Sequence, residues 1–286
     1  MKDTIWEALL GVDARITYID AGGIRTRALV AGSGPPLIFL HGNMGHLEAY
    51  YRNIRAHAEH FTVYSIDMVG HGFSAKPLDR DYLPSTYAEH VRDFADAIGA
   101  PKIAISGESL GGWVAGWFAQ AYPERTAALV LNTAGGLSAY PEVMDRIKRL
   151  NRAAIANPTT ETVRTRLESL MYDKSVVSDE LIEIRRTIYA LPEMRDVLER
   201  ILVLQDMDTR QQNMLTAEHL ARIKAPTCVI WTTHDPTAPV SVGEKYASLI
   251  AGAKLHVMEN CGHWPQFEDT PTFNRIHIDF LREALA

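Results

Sequence analysis

Ser109 lies in Gly107-Glu108-Ser109-Leu110-Gly111, a G-x-S-x-G spacing. The run before it, KIAIS (102–106), is short, apolar and isoleucine-rich; the run after it, LGGWVAGWFAQAYPE (110–124), carries apolar residues at helical spacing. A serine at a tight strand-to-helix turn is pushed out at the end of a sheet, and the neighbouring glycines let strand and helix pass without a Cβ clash. The first turn of the helix offers unpaired N–H groups to a developing oxyanion. A serine hydroxyl is a poor nucleophile without a base, and the base needs an acid to orient it. Asp235 and His263 supply these types: CVIWTT runs into His234-Asp235-Pro236, and KLHVME runs into Asn260-Cys261-Gly262-His263-Trp264. Both lie just beyond an apolar run, where a parallel sheet gathers its functional loops. The chemistry these groups suit is attack of Ser109 on a carbonyl carbon with His263 as base and Asp235 as orienting acid. The other histidines show no metal-ligand spacing, so neither a metal nor an organic cofactor is expected.

The elements that must position these groups alternate along the chain. RITYID and IRTRALVAG predict a hairpin around AGG; PPLIFLHG and HFTVYSIDMVGHGFS are each a strand running into a glycine turn. STYAEHVRDFADAIGA has helical spacing, with Ser85 or Thr86 as the expected cap. TAALVLNTAGG follows the serine helix as a further strand. From about residue 138 to 215 strand texture disappears and charges and helix formers take over; alternation resumes at PTCVIWTTHD and ends in the helix TPTFNRIHIDFLREAL. The expected fold class is therefore α/β, with a mostly parallel central sheet and helices on both faces. Residues 1–137 and 216–286 form the expected core domain, and 138–215 an inserted helical lid. No internal repeat or low-complexity tract interrupts this pattern.

Composition narrows the partners. The chain has 286 residues, 47% of them hydrophobic, enough for a sizeable core. Its net charge is −6 and no basic run stands out, which argues against nucleic acid. Attraction for an anionic substrate must therefore come from a local cation. Cys228 and Cys261 are too few for a disulfide framework and lie in no CxxC pair, so reduced thiols are expected. The N-terminal MKDTIWEALLGVDAR is interrupted by Asp3, Glu7 and Asp13, unlike a secretory segment, and no apolar run reaches the length of a membrane span. A cytoplasmic protein with a small-molecule substrate and no membrane partner is the expectation.

With Ser109, Asp235 and His263 in that chain order, nearly the whole sequence resembles the α/β-hydrolase superfamily. The resemblance implies an oxyanion hole from the backbone N–H groups of Asn43, in the loop FLHGNMG (39–45), and of Leu110. Gly42 and Met44 of the same loop are then expected to border the substrate. Within the superfamily the chain is similar to the meta-cleavage product hydrolases, which split a C–C bond in 2-hydroxy-6-oxo-dienoates. CGHWPQFE (261–268), MYDKSVVSDELIEIRRTIYALPE (171–193) and FNRIHIDFL (273–281) carry that likeness. It implies that Arg185 binds the substrate carboxylate, that Trp264 lines the diene, and that the protein is a homodimer or larger. Taken alone, an arginine in a charged helical block is a solvated surface group, and Trp264 is core packing.

Two departures stand out. Glu108 occupies the position before the nucleophile where the family usually has Asn, and HGNMGHLEAY replaces a longer loop with Gly-Pro-Gly. A carboxylate beside the nucleophile is expected to point away from the oxyanion, toward a lid or core cation, because negative charge there opposes catalysis. The expected activity is C–C bond hydrolysis of a 2-hydroxy-6-oxo-dienoate by a serine hydrolase. A carboxylesterase or lactonase with the same triad is the alternative, and a non-catalytic ligand-binding member of the fold a third.

Overall fold

The computed structural model describes residues 4–286; residues 1–3, the start of the N-terminal stretch considered above, lie outside the described residues. Eight strands form one sheet: β1 Ala14–Ala21, β2 Ile24–Ala31, β3 Pro36–Leu40, β4 Thr62–Ile66, β5 Ile103–Glu108, β6 Thr126–Asn132, β7 Thr227–Thr232 and β8 Lys254–Met258, in the order β1-β2-β4-β3-β5-β6-β7-β8. The β1–β2 and β2–β4 pairings are antiparallel and the rest parallel. β3, β5, β6 and β7 are almost wholly buried, which explains their unbroken apolar runs.

The helices of the first half are α1 Ile5–Leu9, α2 Tyr51–Ala58, α3 Pro84–Ala97 and α4 Leu110–Ala121. α3 differs from expectation at its start: Pro84 occupies the first turn and Leu83 is the N-cap, without a side-chain bond. Proline brings a pre-set φ and has no N–H to satisfy, so the helix starts before Ser85 and Thr86. Consecutive residues of β5 place helices on opposite faces of the sheet. Ser106 Oγ bonds His277 Nε2 at 2.8 Å on one side, while a Cβ at Gly107 would meet the Gly111 carbonyl of α4 at 2.1 Å on the other.

Between β6 and β7 the chain contributes no strand. It builds α5 Pro141–Ala156, α6 Thr160–Glu168, α7 Asp179–Tyr189, α8 Pro192–Leu202, α9 Met207–Asn213 and α10 Ala217–Ala221. Leu215 N–H donates to the Gly136 carbonyl at 2.8 Å, so the two ends of this excursion meet. The last elements are α11 Val240–Leu249, α12 Pro265–Glu268 and α13 Thr270–Ala284, the last carrying His277. No helix among the described residues is long and apolar enough to cross a membrane. Cys228 and Cys261 are buried free thiols, and burial pushes both up to about 12.

The strand order turns at β3: the chain leaves it for β4 on one side and returns through β5 on the other. Loops beyond the carboxyl ends of β3 and β5 therefore diverge and leave a crevice. Asn43 and Ser109 lie in those two loops.

Candidate active site

Ser109 has φ 55° and ψ −113°, a conformation that a non-glycine residue holds only under constraint. The constraint is visible. Ser109 N–H donates to Asn132 O at 3.1 Å, and its own carbonyl accepts Trp113 N–H at 3.0 Å and Gly135 N–H at 2.8 Å. A Cβ at Gly111 would sit 2.2 Å from the Leu40 carbonyl, so α4 crosses β3 at a distance only glycine permits. The N–H groups of Leu110, at the start of α4, and of Asn43 donate to no acceptor among the described residues. The turn after β3 is held by His41, which accepts Met68 N–H at Nε2 (3.1 Å) and donates from Nδ1 to Gly42 O (2.8 Å).

Asp235, beyond β7, reaches His263, beyond β8: His263 Nδ1 lies 2.9 Å from Oδ1 and 3.0 Å from Oδ2. The Thr237 N–H and hydroxyl both donate to Asp235 Oδ1 at 2.8 Å and so hold the carboxylate in place. Burial opposes protonation of His263, but the Asp235 charge and hydrogen bond, with the Glu108 charge, outweigh it and raise the imidazole above its ordinary range. Glu268 fixes the loop: its carboxylate accepts Gly262 N–H (2.9 Å) and Tyr172 N–H (2.7 Å), tying the histidine turn to the helical excursion.

Two small cavities, of about 50 and 20 Å³, meet at Ser109, His263, Asn43, Ile147 and Thr237. The larger extends to Gln205 and Arg210, and the smaller to Gly42, Glu108, Arg166 and Trp264. Met44 lines neither; its carbonyl accepts the Tyr189 hydroxyl at 3.1 Å.

Arg185 is wholly buried, not a solvated surface group. Its Nε donates to His46 Nε2 at 3.4 Å, and His46 Nδ1 is bonded to Glu48 at 2.8 Å. Nη1 and Nη2 are buried with no hydrogen-bond partner. The guanidinium lies 5.4 Å from the ring centroid of Trp264, which lines the smaller cavity; Arg185 itself lines neither cavity.

Glu108 overturns one expectation. Its carboxyl is buried against Gly42, where an added Cβ would come within 2.5 Å of Oε2, and its Oε1 stands 3.3 Å from His263 Nε2. It faces into the site because the β5 pleat puts residues 106 and 108 on one side, and at the strand end that side opens under the histidine loop. No hydrogen bond joins Ser109 Oγ to His263 among the described residues; Glu108 holds the place beside Nε2. Burial raises Glu108 to about 7, against the opposite pull of His263 and Arg185.

Sequence patterns gave no sign of Asn151, Arg166, Gln205, Arg210 or Thr237. Arg166 Nε donates to Asn151 Oδ1 at 2.9 Å, and Asn151 Nδ2 to Asn43 Oδ1 at 3.3 Å, linking α6 and α5 to the loop after β3. All five are polar residues in a stretch rich in polar residues or in a loop, and only contact distinguishes them. No cluster of three or more His, Cys, Asp or Glu that could hold a metal occurs among the described residues.

Residues 35–270 match the sequence family described as alpha/beta hydrolase fold. A 2-hydroxy-6-oxo-6-phenylhexa-2,4-dienoate hydrolase of Burkholderia cepacia is 35% identical over 259 residues, 88% of this chain and 89% of that protein. A 2-hydroxy-6-oxononadienedioate/2-hydroxy-6-oxononatrienedioate hydrolase of Comamonas testosteroni is 33% identical, again covering 88% and 89%. The solved structure of a meta-cleavage product hydrolase from Pseudomonas fluorescens IP01 superposes with a TM-score of 0.81 at 30% identity, covering 94% of this chain and 98% of that one.

Proposed function

The chain belongs to the α/β-hydrolase family, and on that premise we propose that it cleaves the C–C bond of a 2-hydroxy-6-oxo-dienoate through a Ser109 acyl intermediate. The observation that carries this reading is Arg185. A buried guanidinium with Nη1 and Nη2 unpartnered is a preformed receptor for a carboxylate, which plain esters and lactones lack. Trp264 beneath it suits a flat conjugated chain.

In this reading His263 takes the Ser109 proton as Oγ attacks the C6 carbonyl, and Asp235 holds the imidazole with Nε2 toward the cavities. The free N–H groups of Asn43 and Leu110 receive the oxyanion, where one such donor contributes about 3–4 kcal/mol. The C1 carboxylate pairs with Arg185, and the acyl group lies toward Gln205 and Arg210. Water activated by His263 then releases the acyl group as a carboxylic acid. The helices of residues 138–215 act as a cap. The cavities beneath are far smaller than a pocket for such a ligand, roughly 300 Å³ or more, so the cap shifts to admit substrate. A cytoplasmic location and a homodimer or larger assembly belong to the same proposal.

The test is kcat/KM on a yellow meta-cleavage product, a p-nitrophenyl ester and a simple lactone. Preference for the first by a hundredfold or more is the expected result. Good ester turnover with none on any dienoate would replace this reading with a carboxylesterase.

A further inference from the structure

Glu108 is the part of the site that the mechanism above leaves idle. It immediately precedes Ser109, is fully buried, and lines the same cavity as Ser109, His263 and Trp264. Neither oxygen meets a donor in hydrogen-bonding geometry, although the Gly42 N–H lies near enough to favour the ionised form. The titratable groups facing it are His263 at 3.3 Å, with Asp235 behind, Arg185 from α7, Arg166 from α6, and Tyr50 from the segment before α2. A buried carboxyl with no donors is costly as an anion, and an imidazole at 3.3 Å is close enough to exchange a proton with it. Glu108 and His263 Nε2 are thus neighbours in a proton path that ends inside the substrate cavity.

We propose that Glu108 is a second proton carrier of the reaction, passing to the leaving fragment the proton that His263 takes from Ser109. This rests on the C–C hydrolase reading. With the carboxylate at Arg185 and C6 at Ser109, the C2 oxygen, one carbon from the carboxylate, lies on the stretch of substrate that passes Glu108. Starting from the 2,6-dioxo tautomer, Ser109 Oγ bonds to C6 and its proton goes to His263 Nε2. The alkoxide collapses and the C5–C6 bond breaks. Its electron pair forms C4=C5, the C3=C4 pair shifts to C2=C3, and the C2 carbonyl pair goes to the C2 oxygen. The Glu108 acid gives its proton to that oxygen and takes the proton held by His263. The fragment leaves as a 2-hydroxy-2,4-dienoate, the acyl group stays on Ser109, and His263 is neutral again, ready to activate water. No other reactant is consumed. An ester needs no such relay, because its leaving oxygen departs beside His263 itself.

The test compares wild type, Glu108→Gln and Glu108→Asp on 2-hydroxy-6-oxo-6-phenylhexa-2,4-dienoate and on p-nitrophenyl acetate, across pH. Glutamine keeps shape and hydrogen bonding but cannot give up or take a proton near neutral pH. Glu108→Gln is expected to lower dienoate kcat about a hundredfold or more, the scale of acid–base catalysis, with KM within about threefold. The loss on the ester should be at least tenfold smaller, and aspartate should recover part of kcat. Wild-type dienoate kcat should fall as pH rises through about 7, where Glu108 loses its proton, and that limb should be missing in Glu108→Gln. Equal losses on both substrates, a dienoate kcat unimpaired by glutamine, or an alkaline limb that survives the substitution would each overturn the role. A wild type that cleaves no dienoate removes the C–C reading together with this role; a wild type that cleaves it while Glu108→Gln is unimpaired removes the role alone.

Discussion

Replacing Arg185 by glutamine separates the two enzyme readings and has a magnitude that follows from its surroundings. Arg185 Nε is braced through His46 and Glu48 to Arg27, whose Nη2 lies 2.6 Å from Glu48. Burial raises Glu48, but its bonds to His46 and Arg27 win and hold it down at about 2, so the brace is charged at neutral pH. The guanidinium is therefore rigid, and its desolvation is complete before any substrate arrives. A carboxylate meeting Nη1 and Nη2 gains charge-assisted bonds of about 1.5–3 kcal/mol each. Glutamine retains one neutral donor worth about 1 kcal/mol, so the net loss is about 2–5 kcal/mol, roughly thirtyfold to a few thousandfold in kcat/KM. The loss on p-nitrophenyl acetate, which has no carboxylate, should be at least tenfold smaller. The free protein should melt no lower than wild type, because a buried, partly unpartnered cation is removed. The assay is steady-state kinetics on both substrates with a thermal melt of each protein. Equal losses on the two substrates would refute a carboxylate-binding Arg185. A drop in melting temperature of several degrees would show instead that the guanidinium supports the fold.

Three further outcomes are expected. A fluorophosphonate probe should label the wild type covalently, and Ser109→Ala should abolish labelling; persistent labelling would move the nucleophile elsewhere. Gly111→Ala should lower the melting temperature by at least about 5 °C, because the new Cβ meets the rigid Leu40 carbonyl and neither strand nor helix can yield; an unchanged melt would contradict the close crossing of α4 over β3. Acidification from pH 7 to 5.5 should destabilise the fold. Burial holds His41, His46, His57, His71, His90 and His277 below the ordinary imidazole range, so the unfolded chain binds more protons as pH falls below about 6.5. Glu108 and Asp67, raised to about 7 and 6, bind protons in the folded state and offset two of these six. The net slope is at most on the order of 5 kcal/mol per pH unit. A urea midpoint that stays flat or rises on acidification would show that these histidines are not buried neutral.

Local pattern carried much of the fold because each element announces itself over a few residues. The unbroken apolar runs of β3, β5, β6 and β7 reflect burial on both faces, and the glycines around Ser109 reflect the crossing of strand and helix. The chain order of Ser109, Asp235 and His263, each after a strand, could likewise be read without coordinates. At the start of α3 the cap-forming Ser85 and Thr86 point to a later boundary, whereas Pro84, also legible in the sequence, sets the first turn.

Tertiary structure decided everything that depends on which distant groups meet. Arg185 and His46 are 139 residues apart, and no local pattern distinguishes a guanidinium braced inside the protein from one in solvent. Whether Asn43 is tied to α5 and α6 depends on Asn151 and Arg166, polar residues among many in a helical excursion. The side to which Glu108 turns was open for the same reason. The sequence puts a carboxylate beside Ser109, and charge alone argues that it should face away. The pleat of β5 and the path of the loop after β8 turned it inward instead, to within 3.3 Å of His263 Nε2. The fold's geometry fixes that direction, and burial answers the charge by raising the group's pKa.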